Sequence, residues 1–298
     1  MPEILANRTD SLDENSAPGP SHWQGSLRLT LSNQEGVTRI SRRQHCGPLF
    51  IQRPFYPEGK QCCHVYLLHP PGGLVGGDQL NCHFDLGPRS QALVTTPSAG
   101  KAYRVDDIER TQGIHVEINM AQHTAMEWLP QETIAFDGAR LNNCTRINFE
   151  PGSSLIGWDI LCLGRPESGE TFDNGSVRQR LELWCDDKPM LLECTDYVGS
   201  SLIMQAAWGL GGRPVLGTLY AYCPDAQQRA AALSLCRGLV ADCEASAISA
   251  ASIVNNILVV RSLGKNTETL RALFTRIWQA LRPCIIARDA CIPRIWNT

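Results

Sequence analysis

Short runs of apolar or alternating residues follow one another along most of the chain. Leu27, Leu29 and Leu31 alternate with polar residues, which is the pattern of a half-buried strand. A turn then leads into a second run over residues 37–41, so the pair predicts a hairpin. Comparable runs, divided by turn residues, recur as far as Glu193. Because no helical pattern separates these runs, the sequence predicts an all-β body.

Two helices are predicted near the C-terminal end. Asp225 can cap a helix that continues to about Leu239. Asn266 or Thr267 can cap a second helix, and Pro283 is expected to end it. The apolar residues of this second helix recur at helical spacing and predict one buried stripe: Leu270, Leu273, Phe274, Ile277, Trp278 and Leu281.

The first twenty residues differ in composition from the rest of the chain. They are polar and predict a disordered tail over residues 1–20, ahead of a single domain over residues 21–298. Four acids and one arginine give the tail a net charge of −3, which is the whole formal charge of the chain. The remainder is therefore neutral overall, which argues against a nucleic-acid-binding protein. Within the domain, residues 253–261 predict one further strand between the two helices.

Cysteine usage and hydropathy favour a cytoplasmic protein. The chain has 13 cysteines but no secretory signal pattern, so we expect reduced thiols. No C-x-x-C pair occurs, which argues against a structural zinc site. No run of 18 apolar residues is present, so no segment is predicted to span a membrane.

One glycine-rich segment between two predicted strands contains more glycine and proline residues than a simple connection requires. The prolines must end strand pairing, and the glycines allow positive φ or close approach of the backbone. The segment lacks the Gly-Lys-Ser/Thr ending of a phosphate-binding loop, so a tight turn at the rim of a sheet is the favoured interpretation. Its members are His69, Pro70, Pro71, Gly72, Gly73, Gly76 and Gly77, followed by Asp78.

This segment resembles the signature of the UreD family of urease accessory proteins, called UreH in some species. Three further stretches resemble the family in the same order, at residues 129–139, 161–170 and 293–298. Together the matches span roughly residues 23–298. The resemblance implies a mostly β fold in which short strands form a helix-like stack of layers, with two α-helices near the C-terminus.

The resemblance also implies a function that the residues alone do not give. Members of the family look like scaffolds for maturation of the nickel enzyme urease. They bind the urease apoenzyme and a helical accessory protein of the UreF type, which recruits a nickel-carrying GTPase of the UreG type. The protein is then expected not to be an enzyme. It would hold no tight cofactor, although nickel would pass through it transiently.

Three carboxylates in the matching segments are the candidates for contact with nickel in transit. Asp78, Asp137 and Glu170 lie among glycine and proline residues in largely apolar stretches. A buried carboxylate needs a partner, water or a cation, so these three could line a wet internal passage. The alternative is that each caps a turn or pairs with an arginine, such as Arg140 or Arg165.

A second function remains open from the residues, a metal-dependent hydrolase that uses Asp78, His83 and Asp137 as ligands. It predicts a stoichiometric metal and turnover in isolation. The pairs Cys63-His64 and Cys82-His83 are weaker candidates, because neighbouring residues of a strand point to opposite faces.

The chain ends in an apolar segment. Ile295 and Trp296 are expected to pack into the body or against a partner, as is Trp278 in the second helix.

Overall fold

The computed structural model describes residues 22–107, 109–242 and 247–297, so the tail predicted to be disordered lies outside the described residues. The strands are β1 (Gln24–Gln34), β2 (Val37–Cys46), β3 (Phe50–Ile51), β4 (Cys62–Leu68), β5 (Gln79–Leu86), β6 (Gln91–Thr95), β7 (Gly100–Ala102), β8 (Gln112–Met120), β9 (Ala125–Leu129), β10 (Thr133–Ala135), β11 (Arg140–Phe149), β12 (Ser154–Leu163), β13 (Ser176–Cys185), β14 (Lys188–Val198), β15 (Val215–Tyr222), β16 (Ile248–Val254) and β17 (Ile257–Gly264). The helices are α1 (Leu202–Gln205), α2 (Ala226–Ala241) and α3 (Thr267–Ile285).

Two sheets face each other, and the chain enters them in turn. The seven-stranded sheet has the order β14-β13-β11-β8-β5-β1-β2, and the ten-stranded sheet follows β16-β17-β15-β12-β9-β6-β4-β3 along its main path. Neighbours β1, β5, β8, β11 and β13 are parallel, as are β4, β6, β9 and β12. From β4 to β13 the backbone therefore coils, and each turn stacks on the one before. The mostly β fold with a helix-like stack of strands is confirmed.

Between the two sheets, each turn of the coil contributes one short paired segment, and these segments together form a narrow third face of the stack. Leu74 forms a parallel bridge with Ala102 of β7, β7 pairs with β10, and β10 pairs with β12. The glycine-rich segment thus supplies the first rung of this face. The stretches at residues 129–139 and 161–170 supply later rungs and corners, so three of the four matching stretches lie at one edge of the stack.

The two sheets differ in hydrophobic pattern because only one of them is covered on its outer side. In β11 every second residue is buried, since its other face meets solvent. In β12 nearly every residue is buried, because α3 packs on the outer face of the ten-stranded sheet. This explains why the strands of that sheet appear in the sequence as continuous apolar runs.

The two predicted helices are present, and their caps are as expected. Asp225 accepts hydrogen bonds from the amides of Gln227 and Gln228 at the start of α2. Asn266 accepts one from the amide of Thr269 at the start of α3 (2.9 Å). All six residues of the predicted apolar stripe of α3 are buried.

Three local predictions were wrong or incomplete. Helix α3 continues past Pro283 to Ile285, because a proline in the last turn removes only one terminal hydrogen bond. The single strand predicted at residues 253–261 is two strands, since Asn255 and Asn256 take positive φ (45° and 68°) and form a hairpin turn. The short helix α1 was not predicted.

The described part of the chain has no helix with the length and apolarity needed to cross a membrane. None of the twelve cysteines in this part is in a disulfide, and their reduced state stays a prediction.

The apolar C-terminal segment folds back under helix α3. The ring of Trp296 lies 5.7 Å from that of Trp158 and 5.6 Å from that of Trp278. Its Nε1 donates a hydrogen bond to Oγ1 of Thr95 (2.8 Å). Ile295 is partly buried beside it. The described C-terminal residues thereby join helix α3 to strands β6 and β12.

Replacing Trp296 by alanine should lower the free energy of unfolding by about 3 kcal/mol, because it removes an indole from a packed aromatic cluster. Urea denaturation would measure the change. The matched control is Trp208→Ala, since the side chain of Trp208 is 72% exposed and its loss should change stability by less than about 0.5 kcal/mol. Equal effects of the two substitutions would contradict the packing role of Trp296.

Candidate functional site

The glycine-rich segment turns the chain from β4 into β5. The amide of Gly72 donates to the carbonyl of His69 (3.1 Å), which makes a tight turn directly after the strand. Gly72 and Gly77 have φ values of 77° and 91°, in the left-handed region that favours glycine. Gly76 lies outside this region, and its Cβ would stand 3.0 Å from Cγ1 of Val105. Close packing therefore explains the glycine at position 76, and positive φ does not.

The rest of the segment divides into an exposed and a buried part. Pro70 and Pro71 are exposed at the tip of the turn. Gly73 is buried, and a Cβ there would lie 2.4 Å from Cε2 of Tyr103, whose ring packs edge-on against Phe136. The segment therefore packs closely into the third face, with its tip exposed. This agrees with the prediction of a tight turn at the rim of a sheet.

Asp78 closes this turn with both carboxylate oxygens. Oδ1 accepts a hydrogen bond from the amide of Trp23 (2.7 Å), and Oδ2 accepts one from the amide of Val75 (2.9 Å). The side chain is buried, so these bonds satisfy a charge that would otherwise be costly. Asp78 therefore ties the start of β1 to the first rung of the third face.

Replacing Asp78 by alanine should lower the free energy of unfolding by about 2 kcal/mol, because two backbone amides lose a charged acceptor. Asp78→Asn should cost less, since one acceptor oxygen remains. Urea denaturation of both variants would measure this order. An unchanged midpoint for the alanine variant would contradict the capping role and favour a carboxylate kept for a ligand.

Asp137 and Glu170 lie together at the corner ahead of β11 and β13. Oδ1 of Asp137 accepts from the amides of Asp173 (3.0 Å) and Asn174 (2.7 Å), and Oδ2 accepts from Arg104 (2.7 Å). Burial opposes ionisation here, but the hydrogen bonds from Asn174 and Asp173 and the charge of Arg104 outweigh it and lower the pKa of Asp137.

Glu170 uses its two oxygens in the same way. Oε1 accepts from the amide of Asp137 (2.9 Å), and Oε2 accepts from Nε of Arg165. All three carboxylates predicted for nickel transit are therefore engaged by backbone amides, and two of them also by an arginine. Turn capping accounts for these contacts, and a role in nickel transit stays a prediction.

The structure does not bring His83 to the other two proposed hydrolase ligands. His83 lies five residues beyond Asp78 along a strand, which separates their Cα atoms by about 16 Å. Its Nε2 lies 2.8 Å from Oδ1 of Asp85, and its Nδ1 lies 3.3 Å from Oε2 of Glu117. Asp78, His83 and Asp137 do not form one metal site.

A buried ionic network joins α3 to the ten-stranded sheet. Arg282 donates from Nε to Oε1 of Glu127 (2.9 Å) and from Nη2 to Oε1 of Glu58 (2.6 Å). Nε1 of Trp278 donates to the same oxygen of Glu127 (2.6 Å). Nε2 of His64 lies 2.6 Å from Oε1 of Glu58. Burial favours the neutral form of Glu58, but the hydrogen bonds from His64 and Arg282 outweigh it and lower its pKa to about 2.

Three residues of this region have the donor types of a metal site. Atoms of Glu58, Cys62 and His64 lie within 4.8 Å of one another. The guanidinium of Arg282 already binds Glu58, and its positive charge opposes a second cation. Burial also raises the pKa of Cys62 well above its ordinary value, so the thiol stays protonated. The arrangement fits a structural ionic network better than a metal centre.

A cavity of about 140 Å³ lies between the two sheets beside the third face, and its lining is mostly apolar with a few polar groups. Its lining includes His69 from the glycine-rich segment, Asn143 and Thr145 from β11, and Asp159 from β12. Burial lowers the pKa of His69, although the charge of Asp78 acts in the opposite direction. The cavity wall therefore combines a neutral imidazole, an amide, a hydroxyl and a carboxyl group.

Asp159 lines both this cavity and a second one of about 50 Å³, which is also lined by β13, β14 and β15. Nε2 of Gln179 donates to Oδ2 of Asp159 (2.6 Å), and Oε1 of Gln179 accepts from Asn143 (3.1 Å). Burial raises the pKa of Asp159 to about 7, while the hydrogen bond from Gln179 limits the rise. Its carboxyl group can therefore gain or lose a proton near neutral pH.

The model of the family described as UreD urease accessory protein matches residues 24–297. The chain belongs to the UreD family. Membership supports a role in urease maturation, and the family name is that of an accessory protein and not of a catalyst. The resemblance seen in the four sequence stretches is thereby confirmed.

UreD proteins of several bacteria are similar to this chain over nearly their whole length. A urease accessory protein UreD of Saccharophagus degradans is 40% identical over 292 residues, which cover 94% of this chain and 95% of that protein. One of Pseudomonas putida is 39% identical over 295 residues, covering 99% and 100%. One of Marinobacter nauticus is 40% identical over 282 residues, covering 93% of each chain.

Sequence reasoning missed two features of this UreD chain. Asp159 is the one charged residue of β12, and a single acid in a strand buried on both faces is a usable signal of a special environment. Cys62 and His64 are two apart on β4, so they share a face, whereas the adjacent pair Cys63-His64 that sequence reasoning considered does not.

Proposed function

We propose that this protein is a scaffold for urease maturation that also offers nickel a path through its interior. In this role it binds the urease apoenzyme and a helical accessory protein, which brings the nickel-carrying GTPase. Membership in the UreD family supports the scaffold role. The buried polar chain of Asp159, Gln179 and Asn143, with Asp159 lining both of two neighbouring cavities, is the observation that supports a path for the ion.

The interior suits a cation that must enter and leave. Within a mostly apolar lining, the larger cavity offers a few oxygen and amide groups and the single imidazole of His69, together with the buried thiol of Cys82. Burial raises the pKa of Cys82 to about 12, which keeps this thiol protonated and a poor ligand. Oxygen ligands hold late first-row metals less tightly than thiolate and imidazole cages do. Asp159 would supply the one negative charge when it ionises.

The three carboxylates predicted for nickel transit have a different role in this proposal. Asp78, Asp137 and Glu170 keep the turns in place at the edge of the stack, and His69 of the same edge lines the cavity. Release of a carboxylate from its amide partners would expose it to a passing ion, so transient contact with nickel remains part of the proposed route.

Urease activation in cells tests the proposal when nickel is limiting. Asp159→Asn keeps the size and the hydrogen-bond acceptor of the side chain but removes its charge. We expect normal recovery of the urease complex, a severalfold loss of urease activity at low nickel, and recovery at high nickel. Asp187→Asn, in an exposed turn, is the matched control and should behave as the unaltered protein.

The two parts of the proposal fail in different ways. Full activation by Asp159→Asn at low nickel, with normal nickel content in urease, would refute the interior path. Failure of the unaltered chain to recover urease and the helical accessory protein in a pull-down would refute the scaffold role.

A further inference from the structure

Strand β2 forms an open edge of the seven-stranded sheet. Among the described strands, only β1 pairs with it. At Thr38 its outer side is occupied, because the amide donates to the carbonyl of Lys60 (3.0 Å) and the carbonyl accepts from the hydroxyl of Tyr56 (2.9 Å), so the open part of the edge lies further along the strand.

The register shifts between Thr30 and Leu31 of β1, which leaves Ser41 of β2 as the extra residue of a bulge. Beyond this bulge, residues 41–46 are all exposed. An edge of this kind presents unpaired backbone groups that can receive another extended segment.

A groove of about 530 Å³ runs along this edge. Its floor includes Ile40, Ile51 and the ring of Tyr56, and four basic side chains surround it. These are Arg39, Arg42, Arg43 and Lys60, and no acidic residue of the described chain lines the groove. The groove therefore combines an apolar floor with a strongly positive rim.

The rim charges have no ion-pair partners among the described residues, whose ion pairs involve other basic groups. Elsewhere on the sheets, Arg146 pairs with Glu182 and Arg178 pairs with Asp196. Four uncompensated positive charges on one groove produce a local potential that attracts an acidic ligand. The neutral total charge of residues 21–298 makes this concentration of charge a local feature.

We propose that the basic groove binds the acidic segment formed by residues 1–20 of the same chain. This segment carries a net charge of −3, while the rest of the chain is neutral. Its acids are Glu3, Asp10, Asp13 and Glu14, opposed only by Arg8. Charge complementarity thus selects an occupant that is already attached to the domain.

The length of the chain permits this contact. Arg43 pairs with Leu29, so it lies about 20 Å along β1 from Trp23. Glu14 precedes His22 by eight residues, which can span up to about 28 Å. Asp10 and Asp13 have still more reach. A tethered segment also acts at an effective concentration of the order of millimolar, so a modest intrinsic affinity suffices.

Occupation of the groove would cover the open edge of β2. Uncovered edges promote pairing between molecules, and a body without net charge offers little repulsion against it. The bound segment would therefore hinder self-association, and a rise in ionic strength would weaken the contact.

Photo-crosslinking of the full chain tests the proposal. A benzophenone amino acid replaces Leu12, and mass spectrometry maps its crosslinks in a mixture of light and heavy isotope-labelled protein. We expect crosslinks to residues 37–60 of the same molecule. Their yield should fall at least about fivefold when NaCl is raised from 50 to 500 mM, because salt screens the charges.

Two variants make the test specific. Arg42→Glu with Arg43→Glu should abolish these crosslinks, whereas Arg237→Glu with Arg276→Glu, the same change on exposed helix faces, should leave them intact. The tail variant Asp10→Asn, Asp13→Asn and Glu14→Gln changes no residue of the described fold and should also abolish them. If the groove variant fails to fold, the tail variant still tests whether the segment binds the groove. Crosslinks to other surfaces, crosslinks between light and heavy molecules, or an unchanged yield in the tail variant would overturn the proposal.

Discussion

Replacing Arg282 by methionine should lower the free energy of unfolding by about 3–5 kcal/mol. The guanidinium is buried and binds Glu127 and Glu58, so its loss leaves two carboxylates in the interior without their main partner. Burial alone would lower the pKa of Arg282, but the bonds to Glu127 and Glu58 outweigh it and raise that pKa. The charge of Arg282 is therefore present at every accessible pH. Urea denaturation at pH 7 would measure the loss.

An exposed ion pair provides the matched control for Arg282→Met. Arg178 binds Asp196 through two hydrogen bonds, but both side chains are about half exposed. Arg178→Met should therefore cost less than about 1 kcal/mol. Comparable losses in the two variants would show that burial does not control the strength of the ionic network. A loss below about 1 kcal/mol for Arg282→Met would show that water or proton uptake compensates the two carboxylates.

The sequence predicted the strands better than their arrangement. Alternation in β1 and the apolar run of β12 are local patterns, and each predicts a strand directly. The coil that joins the two sheets depends on parallel pairing between strands far apart in the chain, for which no local pattern exists. Only the resemblance to a known family indicated the stack of strands before the structure did.

The third face shows how a local signal can be correct and still incomplete. Glycine and proline residues predicted a tight turn at residues 69–78, and a turn is present there. Its pairing partner, Ala102, lies far along the chain, so the role of Leu74 as a rung could not be predicted. The same limit applies to Asp78, whose amide partner Trp23 is brought in by the pairing of β1 with β5.

The candidate site was only partly predictable, because burial decides which acids are unusual. Asp78, Asp137 and Glu170 stood out through their neighbours in sequence, and the structure shows them engaged in turns. Asp159 did not stand out, since an aspartate in an apolar strand carries no turn signal. Its special environment arises from Gln179 on a neighbouring sheet and from two cavities, which only the fold assembles.

Replacing Asp159 by asparagine should make the protein more stable at pH 8 than the unaltered chain, by up to about 4 kcal/mol. The pKa of this carboxyl group is raised from 3.8 to about 7 in the folded state, mainly by burial. Between these two values the folded protein holds a proton that the unfolded chain releases, so stability falls as the pH rises. Each unit of pKa shift corresponds to about 1.4 kcal/mol, and the shift is complete above pH 7. Asparagine removes this titration and keeps an acceptor for Gln179.

The measurement is the difference in unfolding free energy between Asp159→Asn and the unaltered protein at pH 5, 6, 7 and 8. Groups that do not interact with Asp159 cancel in this difference. Tyr197 and Tyr220 do interact with it, but burial raises the pKa of each above its ordinary value, so both stay protonated from pH 5 to 8. The difference should grow by about 1.4 kcal/mol per pH unit up to pH 7 and then level off. Asp187→Asn should show no such slope, because its side chain is exposed. A difference that stays constant from pH 5 to 8 would mean that Asp159 ionises in the folded protein as readily as in water, and the cavities around it would then have to be well hydrated.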